Sequence, residues 1–200
     1  MEFRHSHPAP RVGEMNIQWI ALALYAVWLV SELVILRPAR DRSGSNVDRR
    51  SMLLLASSNM LAPLLAIACY FFGLGSAEFP QPVQFVGVVL MIAGFSTRWS
   101  GMWILRKFFS ANVAVQKDQR LIIRGPYRLV RHPGYFGGWL GFTGLGLALN
   151  NWIAVALLGV LTVPAFLYRI GVEERVLRAA FSNDYIDYSA RVKKFIPLVW

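Results

Sequence analysis

Apolar residues run along this chain in long unbroken blocks, not in the short alternations of a water-soluble protein. Three blocks, residues 16–36, 52–74 and 83–105, reach the roughly 20 residues that a helix needs to cross the hydrocarbon core of a bilayer. A fourth, residues 133–168, contains no charged side chain. As one helix at about 1.5 Å per residue it would be about 54 Å long, too long for a single crossing. Asn150 and Asn151 supply a turn inside it. The pattern therefore predicts two short antiparallel helices, 133–149 and 152–168, whose length deficit calls for a thinned bilayer or for shielding by neighbours. The expected fold is an all-α integral membrane protein with about five transmembrane helices, forming one domain over residues 1–200. Beyond Arg169, Val172, Val176, Ala179 and Ala180 recur at helical spacing and predict an amphipathic helix over 172–181. Ser182 or Asn183 is placed to cap another short helix bearing Tyr185, Tyr188 and Val192.

Charge fixes the expected orientation. The 200 residues are 56% hydrophobic and 16% charged, with a formal net charge of +10. Such a charge would suit a nucleic-acid binder, but there is no basic helix or aromatic-basic motif, and the cations flank apolar blocks instead. Of the 21 Lys and Arg, Arg4 and Arg11 lie in the first tail, five lie in 37–50, seven in 106–131, six beyond residue 168, and Arg98 alone lies inside a block. The connections near Glu78 and Asn150 carry none. Positive loops stay cytoplasmic, so the N-terminus is expected outside and the C-terminal helical segment in the cytoplasm, at the inner membrane if the cell is bacterial. Five spans satisfy every loop, whereas a single span over 133–168 would put the basic tail outside. The first block is too long for a signal-peptide core and lacks a cleavage pattern, so it reads as retained. Cys69, the one cysteine, lies in an apolar run and cannot build a disulfide framework or a cysteine metal site. His5 and His7, beside Pro8 and Pro10, read as part of a disordered polar tail rather than as metal ligands.

Two polar groups stand out at the block ends. In residues 119–138, QRLIIRGPYRLVRHPGYFGG, Gly125-Pro126 makes a turn, Arg128 and Arg131 bracket a short helix, and His132-Pro133 breaks it where the fourth block begins. The free N–H groups of a helix starting at Pro133 suit an anion or carboxylate, while an Arg-His belt that merely anchors the helix has comparable standing. The second group is Arg169 with Glu173 and Glu174. Arg169 and Glu173 share a helix face as a simple ion pair, or the group grips a zwitterionic ligand. Glu32 and Arg98 sit within spans near their cytoplasmic ends, either snorkelling or paired with each other, or forming a polar wall of a substrate entrance. Gly134/Gly138 and Gly137/Gly141 predict close helix packing, and Trp19, Trp28, Trp99, Trp103, Trp139 and Trp152 predict mostly interfacial anchors.

Together the segments L-I-I-R-G-P-Y, R-H-P-G-Y-F-G, the Arg169/Glu173/Glu174 group and F-S-N-D-Y-I-D-Y resemble the isoprenylcysteine carboxyl methyltransferase family and its wider relatives, the phospholipid methyltransferases. The resemblance covers roughly residues 105–192; the earlier spans match only as hydrophobic helices. It implies methyl transfer from S-adenosyl-L-methionine to a lipophilic or prenylated acceptor, with membrane lipid as a neighbour and no metal or nucleic acid. It places the cofactor in about 112–181, against Gln119, Arg120, Leu121, Ile122, Tyr127, His132, Pro133, Gly134 and Tyr135. Glu173, with Glu174 beside it, would take the cofactor's amino group, and Arg169 would face the acceptor carboxylate. Apart from the resemblance, the place of Arg98 in the wall of a substrate entrance makes it a second expected substrate contact. Arg169, Glu173 and His132 form the expected catalytic set. Gln119 stands where the family often has histidine, and the surrounding loop is shorter than in eukaryotic members. There is no G-x-G-x-x-G, which argues against a soluble Rossmann-type methyltransferase.

Methyl transfer from a sulfonium to a carboxylate annihilates charge, so a water-poor pocket favours it, and a carboxylate ionised at neutral pH needs no general base. An amine or thiol acceptor would need one, with His132 or Glu174 the candidates. A phospholipid amine, a lipophilic thiol, a membrane sterol-type reductase using NADPH, and a non-enzymatic scaffold all remain alternatives at this point.

Overall fold

The structure, a computed structural model, describes residues 16–36, 46–105, 108–109, 119–197 and 199. The tail with Arg4, His5, His7, Pro8, Pro10 and Arg11, the loop residues 37–45, and residues 112–118 of the expected cofactor segment lie outside the described residues. The described chain is all-helical: α1 (Ile17–Leu36), α2 (Asn46–Phe71), α3 (Gln81–Leu105), a 3₁₀ turn (Gly125–Arg128), α4 (Pro133–Ala148), α5 (Trp152–Gly159) and α6 (Val163–Arg191). Four stretches are long and apolar enough to cross a membrane: Ile17–Val34, Arg49–Phe71, Gln81–Leu105 and the joined α5 and α6, Trp152–Arg191. Large apolar side chains such as Val27, Val30, Leu53, Leu64 and Phe71 remain exposed on them, as expected where lipid replaces water as solvent. The chain is an integral membrane protein.

α4 is the exception in length. Its 16 residues give about 24 Å of helix, less than the roughly 30 Å of hydrocarbon. Shielding resolves the deficit, because α4 packs along α3, α5 and α1. Its seam with α3 is made by glycines: a Cβ on Gly94 would lie 2.5 Å from the backbone O of Gly137, and one on Gly87 would lie 2.6 Å from the backbone N of Ala148. Gly137 and Gly141 face this seam, as their spacing predicts, whereas Gly138 has ordinary space beside Phe166 and Gly134 beside Arg98. Trp28 stacks on Phe95 at 5.3 Å and meets Phe142 edge-on at 5.0 Å. It is a core residue, contrary to the expected interfacial role, while Trp19, Trp103 and Trp152 are exposed as anchors would be.

The turn at Asn150 and Asn151 forms as expected, with Asn150 in the left-handed region at φ 54°. Asn151 Oδ1 caps α5 by accepting from Ala154 N at 2.8 Å, and its Nδ2 donates to Leu74 O at 2.7 Å. The helix expected over 152–168 is, however, broken after Gly159. Pro164 has no N–H for the Val160 carbonyl, so the helix must stop and restart at Val163. Trp139 Nε1 donates to Gly159 O at 2.8 Å and the Thr162 hydroxyl donates to Leu158 O at 2.7 Å, so two carbonyls at the break are satisfied. From there α6 runs unbroken through Arg169 to a kink at Ser182, φ 43°. The amphipathic helix expected over 172–181 is thus the continuation of a spanning helix. The expected restart at Ser182 or Asn183 coincides with the kink.

Candidate active site

Pro133 starts α4, and His132 precedes it as N-cap without using its side chain to cap. The His132 carbonyl accepts from Tyr135 N and Phe136 N, both at 3.1 Å, leaving the imidazole to reach α6. There it lies between two acids: Nδ1 is 3.4 Å from Glu173 Oε2 and Nε2 is 3.4 Å from Glu174 Oε1. Burial alone would lower the pKa of this histidine, but hydrogen bonding and charge from Glu173 and Glu174 outweigh burial and raise it. The two carboxylates thus favour the protonated ring over the neutral one. Tyr127, in the preceding turn, is pushed up by burial and by the charge of Glu173.

The two glutamates, adjacent in sequence, face different surroundings. Tyr135 Oη donates to Glu173 Oε1, and Arg169 Nε lies 3.5 Å from that same oxygen. Arg169 is 1% exposed and donates through Nη1 to Ser51 Oγ at 2.8 Å, tying α6 to α2. Glu174 is instead ringed by Arg131 Nη2 at 2.9 Å, Lys194 Nζ at 3.7 Å, Arg178 Nη2 at 4.0 Å and the Tyr185 hydroxyl at 3.3 Å. Arg131 also donates through Nη1 to Ser189 O at 2.7 Å and Val192 O at 3.1 Å, and Tyr188 Oη donates to Tyr127 O at 2.6 Å. These bonds fasten the part of α6 beyond the kink over the 3₁₀ turn.

A cavity of about 510 Å³ opens at this end of the bundle. Gln119, Arg120, Leu121, Ile122, Tyr127, His132, Pro133, Gly134, Tyr135 and Glu173 all line it, and so do Arg169 and Arg98. Glu174 does not line it; its carboxylate is spent on holding α6 to residues 131 and 194. Arg128 and Arg131 do not bracket a helix as expected, because the 3₁₀ turn ends at Arg128. Arg98 donates through Nε and Nη2 to Glu32 at 2.5 and 2.6 Å, and through Nη1 to Gly134 O at 3.0 Å.

Sequence reasoning missed two walls of this cavity. Phe181, just before the kink of α6, and Tyr185 and Tyr188, just after it, cover it on one side; the three-residue spacing of the two tyrosines was a usable signal. Leu29 and Leu33 of α1 and Leu55, Ala56 and Met60 of α2 form an apolar wall, indistinguishable in sequence from lipid-facing positions. Among the described residues, no group of three or more His, Cys, Asp or Glu is placed to hold a metal ion.

Known proteins share both the sequence pattern and the architecture. The phospholipid methyltransferase family model matches residues 83–184, just over half of the chain. The probable protein-S-isoprenylcysteine O-methyltransferase of Oryza sativa subsp. indica is 29% identical over 188 residues, covering 90% of this chain and 96% of the relative. The Saccharomyces cerevisiae protein-S-isoprenylcysteine O-methyltransferase is 34% identical over 116 residues, covering 57% of this chain and 48% of its own. The fold matches the solved structure of the eukaryotic intramembrane Ras methyltransferase ICMT (isoprenylcysteine carboxyl methyltransferase) with a TM-score of 0.67 at 23% identity, over 94% of this chain and 70% of that one. The matched region takes in nearly all of α3, α4, α5 and α6 as far as residue 184, with Arg131, His132, Arg169, Glu173 and Glu174 among its residues, and the chain is a membrane methyltransferase belonging to the phospholipid methyltransferase family.

Proposed function

We propose that this protein methylates the carboxylate of a lipophilic acceptor, of the isoprenylcysteine class for which its rice and yeast relatives are named, using S-adenosyl-L-methionine at the cytoplasmic membrane surface. The observation that carries the choice of a carboxylate is the position of His132. An imidazole whose two nitrogens each face a carboxylate, Nδ1 toward Glu173 and Nε2 toward Glu174, has neither nitrogen turned to an acceptor and is a poor general base. Glu174, the other candidate base, faces Arg131 and Tyr185 outside the cavity lining. A carboxylate, with an ordinary pKa near 4, is the acceptor that needs neither.

The cavity fits the proposed cofactor by the chemistry of its lining. Glu173 presents a carboxylate to an ammonium, Arg120 a cation to the amino-acid carboxylate, and Tyr127, Tyr135, Tyr185 and Tyr188 electron-rich rings to a sulfonium. When bound, S-adenosyl-L-methionine supplies an electrophilic methyl group. Arg169, fixed by Ser51 and buried, orients the acceptor carboxylate by two parallel hydrogen bonds. Tyr135 holds Glu173 in place for the ammonium. Phe181, Tyr185 and Tyr188 keep bulk water from the reacting atoms, which favours a step in which opposite charges disappear.

The acceptor's chain comes from the bilayer. α1 and α2 are consecutive but not closely packed backbone to backbone, and Leu29, Leu33 and Met60 line the cavity while remaining 39%, 56% and 60% exposed. A lipophilic chain can pass between them without crossing water. The basic segments of residues 106–131 and beyond 168 support a cytoplasmic active site. A reporter fused after the C-terminus should therefore be active only on the cytoplasmic side.

The deciding experiment gives purified protein labelled cofactor and three acceptors: an N-acyl-S-prenylcysteine, an aminophospholipid and a long-chain thiol. The expected product is a base-labile methyl ester of the first. Label appearing only on the amine or thiol would overturn the carboxylate reading, and thermal stabilisation by NADPH but not by S-adenosylhomocysteine would overturn the cofactor.

A further inference from the structure

Glu32 is the only charged residue in α1, and Arg98 is the only one in α3. Each alone would be costly at membrane depth, and the fold brings them together across 66 residues of sequence. The contact is bidentate, with Arg98 Nε and Nη2 at 2.5 and 2.6 Å from the two Glu32 oxygens. One residue earlier on α1 and one later on α3, Trp99 Nε1 donates to Ser31 Oγ at 3.0 Å, so two bonds in parallel fix the rotation of α3 against α1. The remaining nitrogen, Nη1, donates at 3.0 Å to the carbonyl of Gly134, in the first turn of α4. Residue 134 stands between His132 and Tyr135, the two α4-end side chains that reach Glu173.

We infer that Glu32 is a positioning residue for the cofactor: by clamping Arg98 it aims Nη1 at the Gly134 carbonyl and so sets the height and rotation of the α4 start against Glu173. This rests on the proposed placement of the cofactor at His132 to Tyr135. It also reassigns Arg98, which the sequence suggests as a substrate contact. With three donors committed and both oxygens of Glu32 taken in a bidentate contact, it is poorly placed to capture an acceptor carboxylate. An ion pair that only held α1 to α3 would need no third bond to α4.

The test uses the full chain in lipid nanodiscs, with S-adenosylhomocysteine as the binding probe and initial methyl-transfer rates as the second readout. Glu32→Gln keeps shape but loosens the clamp, and S-adenosylhomocysteine affinity and cofactor KM should each weaken about tenfold, with acceptor KM within about twofold of wild type. The double exchange Glu32→Arg with Arg98→Glu restores an ion pair but leaves no donor for the Gly134 carbonyl. Thermal stability should recover in it while cofactor affinity does not. Arg98→Lys, which keeps the charge but cannot span both partners, should weaken cofactor binding with little change in melting temperature, and it serves if the other variants fail to fold. Unchanged cofactor affinity in a folded Glu32→Gln or Arg98→Lys variant, or full recovery of affinity in the double exchange, would reduce the pair to a structural strut and overturn the inference. A rise in acceptor KM alone would return Arg98 to the acceptor site. Wild-type protein that binds no S-adenosylhomocysteine would remove the cofactor reading and this inference with it, whereas normal wild-type binding with indifferent variants removes the inference alone.

Discussion

Two ionic groups sit at the same end of this bundle and are built on opposite plans. Glu32 and Arg98 form a closed pair, in which both carboxylate oxygens are taken by one guanidinium. Glu173 and Glu174 belong to an open group shared among Arg131, His132, Arg169, Arg178 and Lys194. The difference lies in what each can still do. The closed pair has its charge cancelled and acts through geometry alone. In the open group the load is divided: Glu174 takes the structural contacts, with a side chain 7% exposed, while Glu173 keeps 25% of its side chain exposed and lines the cavity. Two adjacent acids have been separated, one into a strut and one into the cavity wall, by the helix turning about 100° between them.

The sharpest way to break this division is at Arg169. Arg169→Lys keeps the charge but loses the planar fork, and turnover at saturating cofactor should fall about 100-fold, the scale of a misaligned near-attack geometry, while cofactor affinity barely moves. Near wild-type turnover would remove Arg169 from the acceptor site. Next in size is Glu173→Gln, which should weaken cofactor binding by about 1.5 to 3 kcal/mol, the range for a charge-assisted hydrogen bond. Calorimetry giving unchanged affinity would return Glu173 to a simple partner of Arg169. Glu174→Gln should show the reverse profile: a loss of stability of about 1 to 3 kcal/mol from a buried partner removed, with cofactor affinity close to wild type in the folded fraction. Equal effects of the two glutamine variants on affinity would erase the distinction between them.

The smallest expected effect is the pH dependence. His132 has a raised pKa in the folded protein, so its protonated form adds stability that is fully present below about pH 6.5, the ordinary histidine value, and is lost as pH rises through the folded pKa. The melting-temperature difference between wild type and His132→Gln should therefore shrink as the buffer is made alkaline. A difference that grows with pH would show that the ring is neutral in the folded state.

Much of this arrangement is legible in the sequence because it is local. The helix start at Pro133, the turn at Asn150 and Asn151, and the pairing of Arg169 with Glu173 each depend on residues within four positions of one another. The break before Pro164 was equally local and could have been read, since a proline deep in an apolar block leaves the carbonyl four residues earlier without its donor. The contacts of Ser51 with Arg169 and of Tyr135 with Glu173 join residues 118 and 38 positions apart, and no periodicity encodes them. The pair of Glu32 and Arg98 is intermediate: two lone charges in separate spans suggest each other, but only the structure supplies the third bond to Gly134. For the same reason the apolar wall from α1 and α2 is silent in sequence, where a cavity-lining leucine and a lipid-facing one look alike.

The seam between α3 and α4 carries a consequence for how this chain can change over generations. At Gly87, Gly94, Gly137 and Gly144 a first side-chain carbon would fall 2.8 Å or less from a backbone atom of the facing helix. Every missense change of a glycine codon adds at least that carbon, so each of these codons is closed to amino-acid drift unless the two helices separate. The outward leucines and valines of α1 and α2 carry no such restriction and are free to follow the thickness and composition of whatever membrane the organism makes. One flank of the protein can adapt to a new lipid environment while the other keeps its register fixed.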